Sequence, residues 1–354
     1  MADAAPAGPM SGSVARGLAF LASRQLPSGQ FPIEATLHYQ PGAPVTPDSS
    51  PFATTHIVHS LGHLPAAAAA PLIGPALKSM RAEMSPFGLW RYWNREAVWG
   101  GRKIHSFIPA DLDDTATHSA LLRQYGIHFP DNTHVLLQNR DRRGLFYTWF
   151  VVRPGLRWSS RYWLAALSEM TLARLSVFWR TTEASYNDVD AVVNANVLLY
   201  LGERAETQPV IAWLRSIIAS GTEATCDKWY RDMFTFLYAV SRCTYAGIRG
   251  LDDSVGMVRA RLAAAASTSG QVGDSALQTA LAACTLMNFG LRDALVTHAV
   301  DHLVAIQRAD GSWPAAPYYF GGPKQSVSWG SAELTTALCI EAIHRAGSGV
   351  EEGG

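Results

Sequence analysis

The chain has 354 residues with 29 basic and 29 acidic side chains, so its formal charge is zero before histidine is counted. That balance argues against a nucleic-acid binder, which needs a basic excess to neutralise phosphates. Charged residues make up only 16%, while 11 Trp, 12 Tyr and 13 Phe supply material for a large core or an apolar cavity.

The most apolar stretch, 64–77, is broken by Pro65, Pro71 and Pro75 and is too short to span a membrane. In chain order, segment 1–12 is rich in Ala, Pro and Gly, has no basic residue and is expected to be a disordered tail rather than a signal peptide. Amphipathic helical spacing then appears over 13–25, 70–84, 161–179, 207–220, 254–266 and 291–307. Between these helices a second theme recurs: a small or acidic residue, then Thr or Ser, then an apolar run with helical spacing. It begins at Ala53, Asp111, Asn187, Gly273 and Gly330, with a weaker copy from Trp229.

Helices of the second kind are apolar nearly all round and open on capping residues such as Asp111, Asp188 or Asp274, so they are expected to be buried. Six inner helices alternating with six outer ones predict an all-α fold, a single α/α toroid over 13–346 around a central cavity. Loops 26–52 and 85–110 are longer than ordinary connections and are expected at its mouth. The one β signal, 146–152, reads as a strand pair or an extended loop, and 347–354 reads as a second tail. Cys226, Cys243, Cys284 and Cys339 form no C-x-x-C pair, which predicts reduced thiols in a cytoplasmic protein.

The segment Asp111-Leu-Asp-Asp-Thr-Ala crowds three carboxylates at the start of a buried helix, more than a cap needs. Asp113 and Asp114 diverge by about 100° around the helix, whereas Asp114 and His118 share a face, so the carboxylates cannot all do one job. Like charge and desolvation favour protonation, which allows one of them to serve as a general acid. His56, His59 and His63 lie on one face of the first inner helix, where His56 or His59 could bond the aspartates or join Asp113 and Asp114 around a divalent metal. Asp190 and Asn194, at i and i+4 in the third inner helix, are expected to line the cavity.

The run from Asp111 to Ala116 resembles the D-x-D-D-T-A signature of class II terpene cyclases of the squalene-hopene cyclase type, which are built from α/α toroids. Two turns are similar to the family's Q-x-x-x-G-x-W repeats: Gln307 to Trp313, and Gln25 to Phe31 with Phe in place of Trp. The resemblance implies that Asp113 protonates an alkene or epoxide, that Asp111 and Asp114 orient or polarise it, and that no metal cofactor is needed. It implies a small apolar isoprenoid-type substrate, with carbocations stabilised by aromatic faces. Candidates for those faces are Trp90, Trp93, Trp99, Trp158, Tyr162, Trp179, Trp229, Tyr230, Phe234, Tyr318, Tyr319 and Trp329. Family members generally pair two toroids, whereas this chain has length for one, which leaves a homo-oligomer open as a way to close the mouth. The alternatives are a toroidal metalloenzyme using the His/Asp cluster and a non-catalytic toroidal binding protein.

Overall fold

The computed structural model describes residues 9–38, 43–48, 50–99, 101–153, 160–169 and 178–351. Among these, six inner helices (Pro51–Leu61, Leu112–Gln124, Ala191–Leu201, Met233–Tyr245, Ala276–Asn288 and Ala332–Glu351) alternate with six outer ones. The outer helices are Pro9–Arg24, Ala66–Glu83, Ser160–Glu169, Gln208–Ser220, Val255–Ala264 and Ala294–Ala305. Each inner helix packs against the next, and the sixth packs against the first, closing the ring. Burial explains the apolar composition: in the fifth inner helix every residue but Gln278 is buried. The outer helix Gln208–Ser220 instead buries one face, through Val210, Ile211, Leu214, Ile217 and Ile218.

One turn is repeated around the ring. After an outer helix, or in one case after the short helix Thr133–Gln138, the chain closes a short loop with two backbone bonds, as in Leu26 N–H to the Gln30 carbonyl (2.9 Å) and Gly29 N–H to the Leu26 carbonyl (2.8 Å). The same pair joins Ser85 with Leu89 and Gly88, Asp141 with Leu145 and Gly144, Ser267 with Gln271 and Gly270, and Arg308 with Ser312 and Gly311. The residue after each loop is a buried plug whose backbone N–H donates to a polar side chain of the following inner helix. Phe31 donates to Thr54 Oγ1 (2.9 Å), Trp90 to Thr115 Oγ1 (3.1 Å) and Phe146 to Asn194 Oδ1 (2.9 Å). Val272 donates to Thr279 Oγ1 (3.1 Å) and Trp313 to Thr336 Oγ1 (3.2 Å). The Thr that recurs in the inner-helix theme is therefore the acceptor that fixes each loop to its helix. Gln25 and Gln307 add a side-chain bond to the carbonyls of Gly29 and Gly311, each 2.9 Å.

The chain differs from the sequence reading at the mouth, at two helix caps and at both tails. A four-stranded antiparallel sheet of order β2-β1-β6-β5 lies among the mouth loops, with β1 Ile33–Leu37, β2 Val45–Asp48, β5 Tyr319–Gly321 and β6 Val327–Gly330. A short hairpin joins β3 Val98–Trp99 to β4 Arg102–Lys103. Segment 146–152 takes the second of its two expected forms, an extended crossing rather than a strand pair, whose Thr148 carbonyl accepts from Leu112 N–H at 2.8 Å. Ser275 rather than Asp274 caps the fifth inner helix, and Asp190 rather than Asp188 occupies the N-cap of the third. Helix also reaches into both segments read as tails, beginning at Pro9 and ending at Glu351; the rest of those segments lies outside the described residues.

Gly311 shows why the turn needs glycine: its φ is +88°, and a Cβ there would stand 2.4 Å from the Arg16 carbonyl oxygen. Both the conformation and the contact oppose a side chain. Gly311→Ala is expected to lower unfolding stability by about 2 kcal/mol, read as a lower urea midpoint at unchanged m-value.

Candidate active site

The second inner helix begins where three segments meet. Asp111 N–H donates to the Trp90 carbonyl at 3.2 Å, and Thr115, one turn on, holds Trp90 from the other side. Asp111 takes the N-cap position with extended backbone (φ −129°, ψ 165°), and its Oδ1 accepts from Asp114 N–H at 2.8 Å. The three carboxylates then part company. Asp114 is buried, with an Oδ1 that makes no hydrogen bond and lies 4.0 Å from His118 Nδ1. Asp113 remains partly open and faces a cavity.

His118 is a buttress for this helix. Its Nδ1 donates to the Asp114 carbonyl at 2.6 Å, its Nε2 lies 3.0 Å from Thr55 Oγ1, and its ring stacks on Trp90 at 5.4 Å. Burial lowers its pKa to about 4, so the ring is neutral near pH 7.

Both oxygens of Asp113 accept hydrogen bonds, from Asn196 Nδ2 at 2.6 Å and from the Tyr230 hydroxyl at 2.5 Å. Buried Arg242 donates to Asn196 Oδ1, so the amide must turn its NH2 toward Asp113. Burial raises the pKa of Asp113, and the Tyr230 and Asn196 bonds, followed by the Arg242 charge, oppose that rise. Asp114 is pushed well up by burial and then by Asp111, while burial carries Asp111 to about 7. Asp113 is thus the carboxyl whose two oxygens are each met by a side-chain donor, an arrangement that stabilises its anion in an apolar site.

A second acidic group positions Tyr230. Asp227 accepts from Trp229 N–H (2.8 Å), Tyr230 N–H (3.0 Å) and Val192 N–H (2.8 Å), pinning the loop to the third inner helix. Asp190, raised to about 6 by burial, accepts from the Thr148 hydroxyl (2.5 Å) and Trp229 Nε1 (3.1 Å). It orients a wall residue instead of lining the cavity itself. Asn194 likewise is not a cavity residue: its amide grips both the N–H and the carbonyl of Phe146.

The cavity of about 580 Å³ has mostly apolar walls and lies within the size range of small-molecule sites. Of the residues singled out in the sequence, Asp111, Asp113, Asp114, Trp93, Trp229, Tyr230, Tyr319 and Trp329 line it. Trp90 plugs its turn, donating Nε1 to the Met80 carbonyl, and Phe234 packs beside Gly273. Tyr318 stands behind Tyr230 with ring centroids 6.0 Å apart and its hydroxyl 3.4 Å from His56 Nδ1. Tyr162 is buried against Asn139, and Trp179 stacks on Tyr186. The Trp99 side chain and Trp158 lie outside the described residues. His59 packs on His63, which lies 3.5 Å from buried Glu341, away from the aspartates. Among the described residues no three His, Cys, Asp or Glu side chains group as a metal site, so the metal set drawn from His56, His59, Asp113 and Asp114 does not assemble.

Several contributors escaped the sequence reading. Asn196 and Arg242 read as ordinary inner-helix residues until the third and fourth inner helices are placed beside the second. Asp48 accepts from Tyr92 (3.0 Å), Trp93 Nε1 (3.0 Å) and Trp329 Nε1 (2.7 Å), binding three aromatic side chains of the wall to β2. Phe52, Trp149, Phe178 and Val193 complete the apolar surface.

No family model and no curated protein matches the sequence. Solved structures match along the whole chain. A protein from Actinoplanes is 19% identical, with a TM-score of 0.68 over 96% of this chain and 99% of that one. Type II terpene cyclase MstE from Scytonema is 17% identical, with a TM-score of 0.67 over 97% and 99% of the two chains. A single-residue variant of MstE, in complex with geranylgeranyl dihydroxybenzoate as substrate, is 16% identical, with a TM-score of 0.66 over 96% and 98%. The ring described above has the fold of type II terpene cyclase MstE. No helix of the described residues is long and apolar enough to cross a membrane.

Asp111 makes a pH-dependent contribution to stability whose sign is set by its raised pKa. With a folded value of about 7 against about 4 unfolded, the folded state holds a proton that the unfolded chain has released. The stabilisation is full below pH 4 and lost as pH rises through 7. Urea unfolding of wild type and Asp111→Asn should therefore show the difference shifting against wild type between pH 4.5 and pH 8.

Proposed function

We propose that the protein is a class II terpene cyclase-like enzyme in which Asp113 is the general acid. The observation that carries this reading is the position of Asp113: it is a carboxyl raised by burial, facing an aromatic cavity, with Tyr230 and Asn196 ready to stabilise its anion. The likeness in fold to MstE supports it.

In the reaction the Asp113 proton passes to the terminal alkene or epoxide of an isoprenoid chain. The alkene π pair forms the new C–H bond, or the epoxide C–O bond breaks, and a carbocation results. The next double bond attacks that cation in cyclisation, and loss of a proton ends the sequence. Tyr230 and Asn196 hold the negative charge left on Asp113, and the faces of Trp229, Tyr319 and Trp329 stabilise the positive charge in the cavity. Burial raises the pKa of Asp114 well above the usual carboxylate range, which disfavours a second anion beside the cation.

Incubation with geranylgeranyl dihydroxybenzoate, followed by mass spectrometry and chromatography for a cyclised isomer of equal mass, tests the reading. Asp113→Asn should lower turnover by at least about 100-fold with the thermal midpoint unchanged. Tyr230→Phe removes a stabiliser of the anion, weakens the acid and should lower kcat more than it changes KM. Full activity of Asp113→Asn on a substrate that wild type cyclises would remove the general-acid role.

A further inference from the structure

The cavity walls carry a run of hydroxyls that the acid does not use. Tyr319 lies on β5 and Asp48 on β2, the two edge strands of the mouth sheet, while Tyr92 comes from the long loop before the second inner helix. Tyr92 and Tyr319 both line the cavity. The Tyr92 hydroxyl donates to Asp48 Oδ2 at 3.0 Å and lies 2.9 Å from the Tyr319 hydroxyl. Asp48 also accepts from Trp93 Nε1 at 3.0 Å and from Trp329 Nε1 at 2.7 Å, which fixes its place.

Proton counting gives this run a direction. A phenol has one hydrogen, and that of Tyr92 goes to the carboxylate, the stronger acceptor. Tyr319 must therefore donate to Tyr92. Tyr319 makes no other side-chain hydrogen bond among the described residues, so its oxygen gives one bond and accepts none. Burial pushes both phenols well above their ordinary pKa, so both keep their protons. The Tyr319 ring stacks on Trp329 at 5.6 Å and meets Phe52 edge-on at 5.5 Å, which holds the phenol in one place. Its centroid is 6.4 Å from that of Tyr230, the donor to Asp113. A buried oxygen with free lone pairs thus stands beside the acid's own partner.

We propose that Tyr319 is the base that ends the reaction, with Tyr92 and Asp48 as the relay that carries the proton away. The proposal rests on the cyclase reading and adds to it the residue that closes the sequence. A C–H bond beside the cationic carbon breaks, and its electron pair becomes the alkene of the product. The proton joins Tyr319 Oη as the Tyr319 hydrogen passes to Tyr92 and the Tyr92 hydrogen to Asp48. The net acceptor is the carboxylate, so no charged phenol has to persist. Asp48 is half-buried on an edge strand, where water takes the proton from it. Entry at Asp113 and exit at Asp48 are separate, so the acid need not recover the proton that it gave.

Geranylgeranyl dihydroxybenzoate is incubated with wild type, Tyr319→Phe and Tyr92→Phe, and substrate loss and each product are followed by chromatography and mass spectrometry. Both variants keep the ring and remove only a hydroxyl. Cation formation precedes proton loss, so substrate consumption should stay within about twofold of wild type. The share leaving as the wild-type alkene should fall about tenfold in Tyr319→Phe, and less in Tyr92→Phe. Other alkene isomers, or alcohols formed when water captures the cation, should make up the difference. An unchanged product ratio in Tyr319→Phe would overturn the base, and one in Tyr92→Phe the relay, each leaving the cyclase reading standing. A parallel fall of consumption and of every product, at unchanged thermal midpoint, would also overturn it, since the ring would then serve the first cation or the packing alone. Should Tyr319→Phe not fold, Tyr92→Phe decides on the same criteria. A wild type that forms no cyclised product overturns the cyclase reading, and the proposal falls with it.

Discussion

A hydroxyl on an inner helix accepting the backbone N–H of the plug residue before it is the contact on which this ring is built. It occurs at Thr54, Thr115, Thr279 and Thr336, with the side-chain amide oxygen of Asn194 standing in at the third helix. Each such bond contributes only about 1 kcal/mol net, but a buried N–H left without it would cost more. Repetition makes the effect structural: each loop so fixed buries the side chain of its plug residue, aromatic in four of the five cases. The acid site inherits this geometry, because Thr115 directly follows Asp114 and Trp90 supplies the carbonyl that holds Asp111.

Three carboxyls in one buried cluster set the electrostatic problem of the site. Desolvation raises all three, and the protein answers each differently. Asp111 is partly compensated by the helix N-terminus and Asp114 is left without a donor on Oδ1. Asp113 draws two side-chain donors from helices and loops far along the chain. The buried Arg242 matters through geometry as much as charge, since its bond to Asn196 removes the option of flipping the amide.

The ring was legible in the sequence because apolar periodicity and repeated helix starts are local signals. The six inner helices fall where the repeated theme puts them, two of them on caps other than those expected, and the outer helices overlap the predicted segments, the third being described only over Ser160–Glu169 of the expected 161–179. The acidic motif was legible for the same reason. The mouth sheet was not: β1 and β6 are nearly three hundred residues apart and pair through main-chain bonds that leave little trace in residue type. Asp190 and Asn194 misled because polar residues in an apolar helix can serve the cavity or the scaffold, and only the partner decides. Asn196, two positions on, bonds Asp113. Asp48 lies in a four-residue strand with no periodicity to mark it, and its meaning appears only when Tyr92, Trp93 and Trp329 converge on it.

The pairing of β1 with β6 has a consequence for how the molecule comes into being. Asp113 is made in the second repeat, Asn196 in the third and Tyr230 in the loop before the fourth inner helix, while Trp329 arrives with the strand that joins the chain's two ends. Long-range contacts of this kind form late, after the loop-closure entropy of most of the chain has been overcome. A nascent or truncated chain would hold the three aspartates without the donors and aromatic walls that surround them in the closed ring. The hydrogen-bonded surroundings of Asp113 therefore belong to the closed circle alone, and translation can finish before they are complete.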